Sequence, residues 1–372
     1  MRKVLLVFIV WFLLVNVVNK VSFQFLTDYT SYELPKHYTI QNRFWIVPWL
    51  NFDGRNYLKI ATDGYNSTQK FNIRVFFPFY PLLIRIFSFN LFFNPIVVGL
   101  LISLFSIILG VYTFNKLLIL EKIAEVDKAK ILSLLFLFPT SFFYLSYYTE
   151  SLLLLLTLLT FFFLKEKKFV LASIFAALAS GTKVLGLALF PVILWEAYRS
   201  YKTTKRVSVS MLIAPLGFIF YSLYNYFVER NLFLALQGHS DWGRHIGILS
   251  PLQAFIESFS KVLFGSEISQ HNIFIRSIEV LEFVSAVFLI LMLILGYRRL
   301  KFSYWLYLLC SALVLFFSGS LGSLPRHLLL LFPIHIVLVK LLPTKLYYMV
   351  GTLFFILLIY LTALFLRGYW VA

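Results

Sequence analysis

The chain has 372 residues, of which 60% are hydrophobic and 13% charged, with a formal net charge of +17. Soluble domains carry about 25% charged residues, so a water-soluble domain is excluded. The single cysteine, Cys310, excludes an intramolecular disulfide and a cysteine-based zinc site. The basic residues sit in short connections between apolar runs, a pattern of membrane topology and lipid-phosphate contact rather than of nucleic-acid binding.

The first stretch, MRKVLLVFIVWFLLVNVV, has the charged and apolar parts of a signal peptide but no clean small-x-small cleavage pattern, so it is read as the first spanning helix. Further crossings are expected at 95–116, 131–146, 149–164, 169–182, 184–198, 208–228, 279–296, 304–319, 326–342 and 345–366, with the first at 4–18. That makes an all-α polytopic membrane protein of about eleven transmembrane helices, several shorter than the ~20 residues a span usually needs. No internal repeat stands out, and residues 1–372 read as one integral membrane domain.

The basic connections are Arg2–Lys3, 116–130, 165–168, 198–206, 297–301 and 342–345. Placing them all in the cytoplasm, with the N-terminus, follows the positive-inside rule. Two consequences follow. The segment FFPFYPLLIRIF, with Pro78, Pro81 and Arg85, must not cross, which suits a short interfacial or re-entrant helix. The segment ALASGTKVLGLAL must turn near Gly181–Lys183, unless one long helix runs from 168 to 198. The outer face then receives a first loop (19–94) carrying short amphipathic helices, the Tyr147–Ser151 junction, a second large loop (229–278) and SGSLGSLPRH.

Within the first loop, NFDGRNYLKIATDGY places Asp53, Asn56, Tyr57, Ile60 and Ala61 on one helical face and Arg55, Lys59 and Thr62 on another, with Gly64 as a helix stop. Asp53 has two compatible readings. It is the N-cap of this helix, or a partly desolvated carboxylate suited to general-base work. Glu150 stands at the outer end of an apolar run, as an interfacial residue near a helix N-terminus or as a functional carboxylate. Lys183, Arg326 and His327 lie at outer helix ends, where cations either anchor at the interface or meet a phosphate. In the second loop Gln237, His239, Asp241, Trp242, Arg244 and His245 combine polar groups with an indole, as a sugar-binding surface does, although an aromatic-belt tryptophan is the commoner case. His239, Asp241 and His245 could be drawn as a metal cluster, but their spacing is not diagnostic. Residues 66–68 (NST) fit an N-glycosylation acceptor.

Taken in order, these pieces resemble the PIG-V-like mannosyltransferases, the GPI mannosyltransferase II family and its prokaryotic relatives among the multi-pass class C glycosyltransferases. FDGRNYLKIATDGY is similar to the family's aspartate motif, FFPFYPLLIR to the segment that follows it, and FPTSFFYLSYYTESLLLL, ASGTKVLGLAL, SLPRHLLLLFP and the tail RGYWVA to later segments. Four positions depart from the pattern. Phe52 stands for the usual Trp, Asn56 for His or Trp, Lys183 for Arg and His327 for Tyr.

The resemblance implies an inverting transfer of a sugar, mannose in this family, from a polyprenyl-phosphate donor to a lipid-linked or cell-surface glycan acceptor at the extracytoplasmic side of the bilayer. Asp53 is then the general base and Glu150 orients the acceptor or a cation. Arg326, Lys183, Arg55 and Lys59, with His327, are candidates to meet the leaving phosphate. No cofactor is implied; a divalent metal could share that task, although no ligand set stands out. The chain length points to a prokaryotic cell membrane, with the endoplasmic reticulum as the alternative. The rival functions are a lipid-linked sugar flippase and a non-catalytic subunit of a glycan-assembly complex.

Overall fold

The computed structural model describes residues 2–27, 29, 43–65, 72–205, 209–244, 246–266, 269 and 272–371. The NST triplet at 66–68 lies outside them. All regular structure among the described residues is helical.

The long α1 (Arg2–Phe25) is followed by one-turn α2 (Arg43–Ile46), a 3-10 turn, α3 (Asp53–Asp63) and α4 (Phe79–Phe87). The expected stop at Gly64 is present, and its φ of 73° is a conformation that favours glycine. At nine residues α4 is too short to cross a bilayer. A central group follows: α5 (Pro95–Leu120), α6 (Glu125–Leu137), α7 (Glu150–Lys165), α8 (Phe169–Thr182), α9 (Leu189–Thr204) and α10 (Leu216–Glu229). Asn94 caps α5, its side chain accepting from Ile96 N at 2.9 Å, with Pro95 opening the helix. Short α11 (Leu234–Gln237) and α12 (Ser250–Phe264) lead to α13 (Ile273–Gly296), α14 (Phe302–Phe316), α15 (Leu324–Leu328), α16 (Pro333–Leu341) and α17 (Thr344–Leu366).

Among the described residues, five helical stretches are long and apolar enough to cross a membrane: Leu5–Phe25, Pro95–Leu120, Val209–Glu229, Ile273–Gly296 and Thr344–Leu366. The shorter helices diverge from the expected crossings where the backbone is broken. The segment 131–146 is not one helix. It stops at Leu137, because Phe138 precedes Pro139 and is extended (φ −55°, ψ 135°). The segment 326–342 is likewise divided between α15 and α16, each opened by a proline. The turn expected at Gly181–Lys183 is present. Lys183 is extended (φ −163°, ψ 148°), and a 3-10 turn, Val184–Ala188, precedes α9. No single helix runs from 168 to 198.

The core centres on α7, which is buried along almost all of its length and packs against α5, α8 and α9. Its all-round apolar surface is what a fully enclosed helix requires. The outer helices instead expose large apolar side chains, such as Leu6, Val10 and Leu13 on α1 and Phe105 and Leu109 on α5, as a lipid-facing surface does. Close packing in the bundle uses glycine. A Cβ on Gly217 would lie 2.0 Å from the Ala177 carbonyl oxygen and 2.5 Å from Gly181 N, so α8 and α10 meet backbone to backbone.

Candidate functional site

The start of α3 is held from two sides. Asn51 donates from Nδ2 to the Phe365 carbonyl at 2.8 Å. The Tyr148 hydroxyl donates to Asn51 O at 2.7 Å and accepts from Asp53 N at 3.2 Å. Between these anchors Phe52 takes φ 58°, rare for a bulky residue, and packs edge-on against Trp370 with ring centroids 5.1 Å apart. The tight turn makes Asp53 the first residue of the helix, and Phe52 occupies the cap position with no side-chain bond. The N-cap reading of Asp53 is therefore corrected: its carboxylate is engaged elsewhere.

That partner is Arg326, 273 residues away, whose Nη1 lies 2.7 Å from Asp53 Oδ2. Arg326 is carried by α15, which begins after Ser323, itself at φ 68°. Its guanidinium lies 5.2 Å from the Tyr148 ring centroid and 5.5 Å from that of Phe143, a cation–π arrangement that favours a cation out of water. Its Nε forms an ion pair with Glu150 Oε1 at 3.3 Å, without a hydrogen bond, and that oxygen accepts from Lys183 Nζ at 2.8 Å. Four residues from four segments thus form one cluster of two carboxylates and two cations. Glu150 is wholly buried, and its Oε2 has no hydrogen-bond partner among the described residues. Such a carboxylate is tolerated in the interior because it is paired.

The cluster borders a cavity of ≈ 120 Å³. Asp53, Tyr57, Lys183, Arg244, Arg326 and His327, all singled out from the sequence, line it. Phe76, Phe77, Val184, Leu185 and Trp370 supply an apolar wall. Glu150 lies outside this lining, behind Lys183 and Arg326. Arg55, Asn56, Lys59 and Gln237 do not line it either. Gln237 is exposed, and its Oε1 accepts from Asn231 Nδ2 at 2.7 Å. The Trp242 side chain and His245 lie outside the described residues. Asp241 ties the two outer loops together, accepting from Asn72 N at 3.2 Å. Arg244 donates from Nη2 to Gly322 O and Ser323 Oγ, both at 3.1 Å, and so steadies the turn that carries Arg326.

The electrostatics outside the long helices favour neutral partners beside the ion cluster. Burial, and then the carboxylates of Glu150 and Asp53, hold the Tyr57 phenol well above its usual range, so it remains protonated. Burial, and then the charges of Arg244 and Lys183, push His239 down to about 4. His239 lines the cavity as a neutral imidazole at pH 7. Among the described residues no three His, Cys, Asp or Glu side chains are grouped to hold a metal ion. Asp53 and Glu150 already face guanidinium and ammonium groups, a donor set that does not fit a divalent cation.

Sequence reasoning passed over Tyr148, Ser323 and Trp370 as site residues. Trp370 stands in the tail RGYWVA, but its contact with Phe52 joins positions 318 residues apart and has no local signal. No protein-family model, no characterised protein and no solved structure matches the chain.

Proposed function

We propose that the protein is a membrane glycosyltransferase that moves a sugar, mannose on the family resemblance, from a polyprenyl-phosphate donor to a glycan or glycolipid acceptor, with inversion. It belongs on this reading to the class C architecture, with its shorter helices completing the set of about eleven crossings. The observation that carries the proposal is the paired cluster at a cavity with one ionic and one aromatic wall. The basic connections at 165–168, 198–206 and 297–301 lie at the other ends of α7, α8, α9 and α14. That supports an extracytoplasmic cavity under the positive-inside rule.

In the resting protein Arg326 restrains Asp53. The donor's phosphate competes for the guanidinium fork, which matches phosphate oxygens in shape and charge. Asp53, released, accepts the proton of the acceptor hydroxyl as that oxygen attacks the anomeric carbon. The bond from that carbon to the phosphate oxygen breaks, and its electron pair leaves with the phosphate. Arg326 and Lys183 face the growing negative charge. Glu150 acts through them as a positioning residue, holding both cations at the cavity wall.

The test is an assay of purified protein with radiolabelled polyprenyl-phosphate mannose against fractionated host lipids, with Asp53→Ala as control. Transfer that needs Asp53 supports the proposal. Near-normal transfer by Asp53→Ala refutes the base assignment, and movement of labelled lipid across vesicles without a new glycosidic bond refutes the transferase.

A further inference from the structure

A second and larger cavity, ≈ 920 Å³, opens at the opposite ends of the helices that frame the first. The helix α8 runs from Phe169, in the lining of this cavity, to Thr182, in that of the first, and α14 runs likewise from Phe302 to Val314 and Leu315. At 1.5 Å per residue, the 14 residues of α8 separate the two cavities by about 21 Å, roughly two thirds of the ~30 Å hydrocarbon core of a bilayer.

The chemistry of this cavity is cationic with an aromatic floor. Lys165, Lys167, Arg199, Lys202 and Lys301 line it, against the two carboxylates Glu121 and Glu196. Both carboxylates are already engaged. Glu121 accepts from Lys165 at 3.0 Å, from the Tyr304 hydroxyl at 3.0 Å and from Lys301. Glu196 accepts from Arg199 at 3.1 Å and from Ser303. Lys167 and Lys202 have no carboxylate partner among the described residues. The floor holds Trp195 packed on Phe302 at 4.5 Å, and Trp195 Nε1 is buried with no hydrogen-bond partner. Beside it, Leu194, Tyr198 and Tyr201 are exposed apolar or aromatic surface.

We infer that this cavity binds the phosphate headgroup of an anionic membrane phospholipid. A soluble anion would need only the cations. The aromatic floor and the adjoining apolar strip match a ligand whose phosphate is joined to glycerol and acyl chains. Basic pockets between transmembrane helices are suited to this chemistry. The phosphate sits between Lys167, Lys202 and Arg199, beside the Trp195 and Phe302 rings. The inference stands on its own observations and does not depend on sugar transfer in the other cavity.

The test uses full-length protein in detergent, titrated with phosphatidylglycerol carrying brominated acyl chains, with quenching of tryptophan fluorescence as the readout and a Trp195→Phe variant to assign the signal. Brominated phosphatidylcholine and inorganic phosphate are run in parallel. The expected result is tighter binding of phosphatidylglycerol than of phosphatidylcholine, by about tenfold, lost in the double variant K167Q/K202Q. The double variant K116Q/K345Q removes the same charge outside the cavity and is expected to bind as wild type. Equal binding of the two lipids overturns the inference, as does equal weakening in both double variants. Displacement of the lipid by inorganic phosphate at equimolar concentration overturns the assignment to a lipid. A quench that survives Trp195→Phe unchanged places the lipid elsewhere and overturns the site.

Discussion

Glu150→Gln tests the ionic cluster without assuming any reaction. Glu150 is wholly buried and has two cations on one oxygen, Lys183 at 2.8 Å and Arg326 at 3.3 Å. At an effective dielectric constant of ~20, each contact is worth roughly 5–6 kcal/mol before desolvation. The amide retains the shape but not the charge. It leaves Lys183 and Arg326, with side chains 16% and 5% exposed, to share Asp53 as their remaining carboxylate in the cluster. Breaking a buried pair in this way costs about 3–5 kcal/mol, whereas removing both partners is often close to neutral. Unfolding of the purified protein in mixed micelles on titration with a denaturing detergent should therefore show Glu150→Gln strongly destabilised. The double variant Glu150→Gln/Lys183→Met should recover by about 1–3 kcal/mol relative to the sum of the single effects. A Glu150→Gln variant within 1 kcal/mol of wild type, on the same scale of buried-pair costs, would refute the reasoning, because it would mean that the carboxylate carries no buried charge.

Other outcomes follow from the same geometry. Asp53→Asn should lower transfer by about 10²–10⁴-fold, the usual worth of a general base, while circular dichroism and membrane insertion stay normal. Arg326→Lys keeps the charge but loses the fork, so the donor KM should rise more than kcat falls; unchanged donor kinetics would reduce Arg326 to a structural partner of Asp53. His239, lowered to about 4, takes up no proton in the folded state between its usual value near 6.5 and about 4, while the unfolded chain does. Its contribution to stability is therefore complete above about 6.5 and declines as pH falls toward 4. Thermal unfolding at pH 4.5 against pH 7 should show His239→Gln less sensitive to acid than wild type. Gly217→Ala should cost about 1–3 kcal/mol by overpacking, since the atoms it would strike are backbone and cannot swing aside; a neutral effect in the same unfolding assay would show that α8 and α10 can separate freely.

The polar exceptions in an apolar chain were the most readable part of the site. Asp53, Glu150, Lys183 and Arg326 each stand beside an apolar run, and each is costly there unless paired. What the chain order hides is the pairing. Asp53 has the local signature of a cap, and the contact that takes its carboxylate away lies 273 positions downstream. The α3 helix and its Gly64 stop were local matters and were legible. The helix breaks were less so. Pro139 and Pro333 were visible, but hydropathy alone ran through them because their neighbours are equally apolar inside a buried bundle. Trp370 shows the same limit, since a tryptophan after an apolar helix reads as an interface anchor until its contact with Phe52 is known.

The place where Gly181 meets Gly217 has a mechanical consequence. Gly181 lies two residues before Lys183, and the far end of α10 carries Glu229, which grips Arg74 of the first loop at 2.8 Å. At this crossing backbone meets backbone, so a shift of α10 cannot be absorbed there by side-chain rotation. The helix α10 is thus held at its far end by the first loop and near its start against the segment that leads to Lys183.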